Sequence, residues 1–175
     1  SINSINFINS MNIMNCIKYK NLDINKLNIN DFDIKYDNES FYVQGPIFTD
    51  YEIINFKDKK YLELKLNEKK TTHINFLTLI DSIELKLNNF IKNENVNNHK
   101  KCTLGTTGTI LKTQIITNIQ NKKSLKVKIN DNTILYNSNK EQVSNLYSHK
   151  ISILYKLEFF KFYYSWVAVQ ILQLD

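Results

Sequence analysis

Lysines alternate with apolar residues in one short segment in the second half of the chain. Lys126 and Lys128 are separated by Val127, with further apolar residues on both sides. Successive side chains of a β-strand point to opposite faces, so both ammonium groups are expected to leave the same face of a sheet. Lysines placed in this way can contact the phosphates of a nucleic acid.

Aromatic residues and lysines are interleaved between residues 136 and 166. In the segment 159–164, which reads FFKFYY, a continuous strand would place Phe159, Lys161 and Tyr163 on one face. Rings exposed beside cations can stack on bases at about 1–3 kcal/mol each, while the lysines follow the phosphates. The combination predicts a surface that binds single strands without reading their sequence. The alternative is that these rings all pack in the core or beneath a contact between subunits.

The predicted interface has a phosphate-contacting part and a stacking part. The first part comprises Lys112, Lys122, Lys123, Lys126 and Lys128. The second part comprises Tyr136, Lys161, Tyr163 and Trp166. In the last apolar run, Val167, Val169 and Ile171 would form one face of a regular strand. Trp166 is therefore expected on the other face, partly exposed.

The sequence has no pattern typical of a Walker loop, a Rossmann turn, a nucleophile elbow or a histidine metal pair. His73, His99 and His149 lack a carboxylate and a nucleophile in the spacing of a known catalytic family. His99 and Cys102 could share a turn, but a structural zinc site usually needs four ligands, and the other thiol, Cys16, is distant. We therefore expect a non-enzymatic protein with no metal and no cofactor.

The positive charge is concentrated in the second part of the chain. The 175 residues carry a formal net charge of +6. Residues 1–100 hold 13 lysines and 13 carboxylates, whereas residues 101–175 hold 10 lysines and 4 carboxylates. Such asymmetry favours an anionic partner, and single-stranded nucleic acid is the first candidate. A solvated, lysine-bearing face that keeps the protein soluble would carry the same charge.

The composition is skewed toward residues with AT-rich codons. The chain contains 26 Asn and 24 Ile, all 23 basic residues are Lys, and Ala168 is its one alanine. No segment approaches the roughly 18–20 apolar residues of a membrane span, and the first residues do not resemble a secretion signal. We expect an AT-rich genome and a soluble, intracellular protein without a membrane partner.

Hydrophobic periodicity predicts strands on both sides of a single long helix. Residues 72–92 repeat apolar side chains at intervals of three and four, which is typical of one helix face. Alternating or apolar strand-like segments occur at 32–36, 41–44, 61–66, 109–116, 124–129, 133–136, 150–162 and 164–174. The predicted fold class is α+β and mostly β, either an OB-like barrel or a two-sheet β-sandwich, with one long helix near residues 72–92.

The N-terminal segment differs in composition from the rest. Residues 1–16 are an uncharged near-repeat of Ser, Ile and Asn. We interpret them as a low-complexity arm that packs on the domain or on a neighbouring subunit, which would allow a homo-oligomer to form through the arm. Residues 17–175 are expected to form a single β-rich domain with one inserted helix.

Four segments follow one another in a familiar order: FYVQGPIFTDYEI, KYLELKL, INFLTLIDSIELKL and ILYKLEFFKFYYSWVAVQILQL. This order resembles small β-rich proteins of large nucleocytoplasmic DNA viruses, among them OB-fold single-stranded DNA-binding proteins. The resemblance implies a viral protein that binds single-stranded DNA during DNA replication, located in the host replication compartment or in the virion. The alternative function is a viral structural or assembly protein, such as a minor capsid or scaffold subunit.

Overall fold

The computed structural model describes residues 16–30, 33–97, 111–160 and 163–174, and in this part of the chain one α-helix accompanies many β-strands. The strands of the first half are β1 (Cys16–Lys18), β2 (Leu27–Asn30), β3 (Asp33–Tyr36), β4 (Glu39–Ser40), β5 (Tyr42–Gln44), β6 (Tyr51–Phe56) and β7 (Lys59–Lys65). The helix α1 (Thr71–Asn97) follows. The later strands are β8 (Ile115–Thr117), β9 (Lys123–Ile129), β10 (Ile134–Tyr136), β11 (Gln142–Val143), β12 (Ile151–Phe160) and β13 (Tyr163–Gln173). Short 3₁₀ turns cover Tyr19–Asn21 and Ile24–Lys26.

The main sheet has the order β1-β5-β12-β13-β9-β7-β6. Its β13–β9 pair is parallel, whereas the β5–β12, β12–β13, β9–β7 and β7–β6 pairs are antiparallel. Strand β10 extends the β13 edge beyond β9, and β8 pairs with the start of β9. A small second sheet contains β2, β3 and β4.

The segment that joins β5 to β6 connects the two sides of the main sheet. The Gly45 amide donates to the Ile153 carbonyl at 3.1 Å, and Phe48 pairs with Ile151 on β12. Tyr51, three residues after Phe48, pairs with Leu64 on β7. Next to this pair, the Lys65 amide donates to the Asp50 carbonyl at 2.9 Å. The continuous segment β5–β6 therefore pairs with β12 at its start and with β7 at its end, which links the two sides of the sheet as in an OB-like barrel.

Helix α1 packs its apolar face into the same core as the strands. Phe76, Ile80, Ile83, Leu87 and Ile91 recur at intervals of three and four and are all buried. Their spacing places them on one side of the helix, as the sequence predicts. The predicted helix is confirmed, and it ends at Asn97, five residues beyond the predicted end. In the described residues, no helix is both long and apolar enough to cross a membrane.

Some predicted local details are wrong. Asn130, Asp131 and Asn132, between two predicted strands, are residue types suited to positive φ in a tight turn. The turn forms, with a hydrogen bond of 3.0 Å from the Thr133 amide to the Asn130 carbonyl, but its residues are not among those with positive φ. It joins β9 to β10, which both pair with β13. The FFKFYY segment is not one strand: β12 ends at Phe160 and β13 begins at Tyr163. The predicted strand 109–116 is reduced to β8 within the described residues.

A buried carboxylate ties the helix to the segment before β8. Glu84 on α1 is 8% exposed, and the Thr113 hydroxyl donates to its Oε1 at 2.8 Å. Four residues along the helix, Asn88 accepts a hydrogen bond from the Leu111 amide. Burial raises the pKa of Glu84 above its ordinary value, although hydrogen bonds from Tyr164 and Thr113 act in the opposite direction. The folded state therefore favours the protonated carboxyl more than the unfolded state does.

The raised pKa of Glu84 predicts how stability changes with pH. Between the ordinary pKa of a glutamate and the raised one, the folded chain binds more protons than the unfolded chain, so stability falls as pH rises through this window. Glu84→Gln removes the ionisation while keeping an acceptor for Thr113. We expect thermal unfolding to show a flatter loss of stability from acidic to neutral pH. Glu141→Gln, in an exposed turn, is the matched control, and an unchanged slope in Glu84→Gln would contradict the assignment.

Candidate nucleic-acid interface

The strand register aligns five side chains in one row on the face of the sheet that points away from the core. Tyr42 pairs with Lys156, Lys156 with Val167, Val167 with Lys128, and Lys128 with Tyr61. We call these five residues the outer row; its central residue, Val167, is itself only 2% exposed. Adjacent strands are about 4.8 Å apart, so the row extends over about 19 Å. The row joins strands from both halves of the chain.

A cation and an aromatic ring are in contact beside this row. The Lys126 ammonium lies 4.1 Å from the centroid of the half-buried Tyr61 ring. Lys126 and Lys128 flank the fully buried Val127, which confirms that both lysines leave the sheet on the same face. Two positive groups therefore lie next to one aromatic face, an arrangement that suits a phosphate and a neighbouring base.

The β6–β7 turn extends this surface beyond the end of the strands. Lys57 and Asp58 both have positive φ, as a tight two-residue hairpin turn requires. Phe56, just before the turn, is 57% exposed, and the Lys57 ammonium lies 5.2 Å from its ring centroid. Ile54, which pairs with Tyr61, is also exposed. A second exposed ring with its own cation thus lies at one end of the surface.

Carboxylates near the outer row pair loosely with its lysines. Glu158 lies 3.7 Å from the Lys128 ammonium and 3.6 Å from that of Lys156. Glu63 lies 3.3 Å from Lys65 on the same face. All these groups are partly exposed, and such pairs typically contribute only about 0.2–1 kcal/mol. A phosphate can displace them at small cost. Lys126 has no carboxylate within 4 Å among the described residues.

The structure brings together three of the predicted interface residues. Lys126 and Lys128 leave this face from β9. Tyr163, which is 58% exposed, lies four residues before Val167 on β13, so both side chains leave the same face of the sheet. Lys123 leaves the opposite face of β9 and lies 3.9 Å from Glu68.

The remaining predicted lysines do not join the outer row. Lys112 and Lys122 are exposed in segments outside the strands. Lys161 lies outside the described residues, as do residues 1–15 of the predicted arm and the His99–Cys102 pair. The last arm residue, Cys16, begins β1, which pairs with β5.

The prediction that Trp166 is partly exposed is wrong. Its side chain is 1% exposed and packs edge-on against Tyr155 at 5.9 Å between ring centroids. Trp166 and Ala168 do lie opposite Val167 and Val169, as predicted, but their face is the core. The third residue of the predicted apolar face changes sides after a bulge: Leu154 pairs with Gln170 and Tyr155 with Ala168, so Val169 has no partner of its own. The extra residue reverses the alternation, and Ile171 enters the same core as Trp166. Counting apolar positions along a regular strand therefore assigned the wrong face.

Tyr136 is also buried, at 4% exposure, so its predicted position at a stacking surface is wrong for the free protein. Its strand, β10, is held between β13 and β11. Four residues on this face or at its end were not predicted from the sequence: Tyr42, Phe56, Tyr61 and Lys156. The alternation of Tyr61 with buried leucines was visible in the sequence, but its alignment with Lys128 is a property of strand pairing.

No family model matches this chain, and no curated protein matches it significantly. The fold does resemble solved structures. The single-stranded DNA-binding protein gp2.5 encoded by bacteriophage T7 matches with a TM-score of 0.57 at 10% sequence identity, covering 77% of this chain and 91% of that chain. The single-stranded DNA-binding protein from bacteriophage Enc34 matches with a TM-score of 0.50 at 13% identity, covering 86% and 90% of the two chains.

These matches confirm the predicted fold class, which is mostly β with one long helix and is that of OB-fold phage single-stranded DNA-binding proteins. At 10–13% identity the likeness is one of fold alone. The described residues contain no group of three or more His, Cys, Asp or Glu side chains that could hold a metal ion.

The position of Trp166 predicts its fluorescence. Because the ring is buried against Tyr155, we expect blue-shifted emission that barely changes when a saturating single-stranded oligonucleotide is added. The measurement is a tryptophan emission spectrum, with binding established independently by anisotropy of a labelled oligonucleotide. Red-shifted emission with strong quenching on binding would place the ring at the interface instead.

Proposed function

We propose that this protein is a non-enzymatic binder of single-stranded DNA and that its interface is the outer row with the adjoining β6–β7 turn. The observation that carries the proposal is the contact of Lys126 with Tyr61, directly beside Lys128 in the aligned row. OB-folds bind oligonucleotides on one face of the sheet and on the loops that flank it. The fold likeness to two phage proteins named as single-stranded DNA-binding supports the same conclusion.

In the proposed interaction, lysines contact the phosphates and aromatic rings stack on the bases. Lys126, Lys128 and Lys156 contact successive phosphates, and the release of counterions from the strand drives association. Bases stack on Tyr61 and on the exposed Tyr163, since every base offers a flat face. Neither contact distinguishes one base from another. Binding is therefore tolerant of sequence.

The wider setting is part of the same proposal. A sequence-tolerant single-strand binder acts where duplex DNA has been opened, as in DNA replication. We place the protein inside cells, and, given the resemblance of its sequence to proteins of large nucleocytoplasmic DNA viruses, in a viral replication compartment or virion. The viral assembly function stays an alternative hypothesis. Large assemblies that form without nucleic acid in gel filtration would favour it.

Removing the two lysines of β9 should weaken binding and reduce its dependence on salt. For single strands, each neutralised phosphate contributes about 0.7 to the slope of log affinity against log salt. Lys126→Gln/Lys128→Gln should therefore lower the slope by about 1.4, as measured by fluorescence anisotropy with a labelled single-stranded DNA in a salt titration. The charge-matched control is Lys26→Gln/Lys92→Gln, which changes exposed lysines away from the outer row. Equal slopes in the two double variants would refute the proposed interface.

The contribution of stacking can be measured separately. Tyr61→Ala removes the ring beneath Lys126 and should weaken DNA binding by about 5- to 150-fold, which corresponds to one stacked base, while leaving the salt slope almost unchanged. Tyr147→Ala is the control, because Tyr147 is 55% exposed and lies between β11 and β12, outside the strands of the outer row. An affinity for Tyr61→Ala within twofold of the control would exclude a stacking role for this ring.

A further inference from the structure

A cavity of about 400 Å³ lies between β1, β5, the residues that precede β12 and the start of α1. None of its lining residues belongs to the outer row or to the β6–β7 turn. Its size falls within the range of small-molecule sites, at the lower end. The cavity therefore shares no lining residue with the proposed DNA interface.

Four lysines from three segments of the chain line this cavity: Lys18, Lys20, Lys70 and Lys150. No carboxylate is among the described residues that line it. Lys20, Lys70 and Lys150 also form no salt bridge with any carboxylate in the described part of the chain. Like charges gathered around one small volume repel each other, and an anion bound among them would relieve that repulsion.

The rest of the lining adds hydrogen-bonding groups and a flat apolar surface. Thr49 and Thr72 supply hydroxyl groups, and the largely buried Ser152 lies in the wall. Tyr19 and Pro46 provide apolar surface. The Tyr19 and Phe76 rings pack edge to face, with 5.6 Å between their centroids. Cations and hydroxyls beside an aromatic ring match a phosphate that is attached to a base.

A histidine fixes two parts of the cavity wall relative to each other. His73 Nε2–H donates to the Ile47 carbonyl at 2.9 Å, and Nδ1 accepts from the Asn67 amide at 2.9 Å. Both bonds require the neutral ring, and burial lowers the pKa of His73 accordingly. The start of α1 is thereby held against the segment after β5. The cavity is preformed, so little ordering is needed when a ligand binds.

We propose that this cavity is a second binding site, which takes a nucleotide through its terminal phosphate. Four lysines around one volume suit a multiply charged terminal phosphate, whereas the successive diesters of a DNA backbone suit an extended row of cations. The phosphate could belong to a free nucleotide or to the phosphorylated end of a strand. The inference is independent of the proposed DNA interface, because the two sites share no residue.

The test uses the full chain and isothermal titration calorimetry at low salt with ADP, inorganic phosphate and adenosine. We expect ADP to bind saturably, phosphate to bind more weakly and adenosine not to bind measurably. Lys70→Gln/Lys150→Gln should weaken ADP binding about tenfold or more, whereas Lys126→Gln/Lys128→Gln should leave it unchanged. Absence of saturable ADP binding to the wild type, or equal weakening in both double variants, would overturn the proposal.

Two further measurements address folding and the source of the phosphate. If the lysines repel one another, Lys70→Gln/Lys150→Gln should melt at or above the wild-type temperature without ligand, yet lose the rise in Tm that ADP causes in the wild type. A loss of Tm in the free variant, with the ADP-induced rise intact, would count against the site. Short oligonucleotides with and without a 5′-phosphate then separate the sources. Competition with ADP by the phosphorylated form alone identifies a strand end, and competition by neither identifies a free nucleotide.

Discussion

The segment from Tyr42 to Phe56 pairs with β12 through β5 and with β7 through β6, and between these strands it passes very close to the core at Gly45. A Cβ atom at this position would lie 2.6 Å from Cε2 of Tyr155 and 3.1 Å from Cζ of Phe76. Both rings are fully buried, so neither can move away without opening the core. A residue without a side chain is therefore required. The bend that follows lines the cavity, and it delivers β6 to the edge of β7.

Once the barrel is closed in this way, alternation along each strand decides which side chains can reach a ligand. Leu62 and Val127 point inward and are fully buried, and their neighbours Tyr61 and Lys128 therefore point outward. The burial that stabilises the sheet and the exposure that DNA binding would need are thus two consequences of one pattern. Glu158 pairs only weakly with Lys128 on the outward face, so a phosphate can displace this carboxylate at small cost.

Local periodicity was enough to predict the helix, the alternating strand at 61–66 and the two long final strands, because each is long and regular. It was also enough to place Lys126 and Lys128 on one face. It failed at Trp166, because the bulge at Val169 moves Ile171 to the face of Trp166 and Ala168, and no local pattern reveals this pairing with β12. It failed again for Tyr61 and Lys156, since their alignment with Lys128 depends on the register of strands far apart in the sequence.

Charge shows the same dependence on tertiary structure. Residues 1–100 hold equal numbers of lysines and carboxylates, which suggested that their field cancels. Lys18, Lys20 and Lys70 nevertheless come from this part, and together with Lys150 they line a cavity that has no carboxylate among its described lining residues. Electrostatic interactions of exposed groups fall off over about 8 Å in physiological salt, so a local field depends on the groups that folding brings within that distance. A segment that is neutral in sum can therefore supply most of the cations of a binding site.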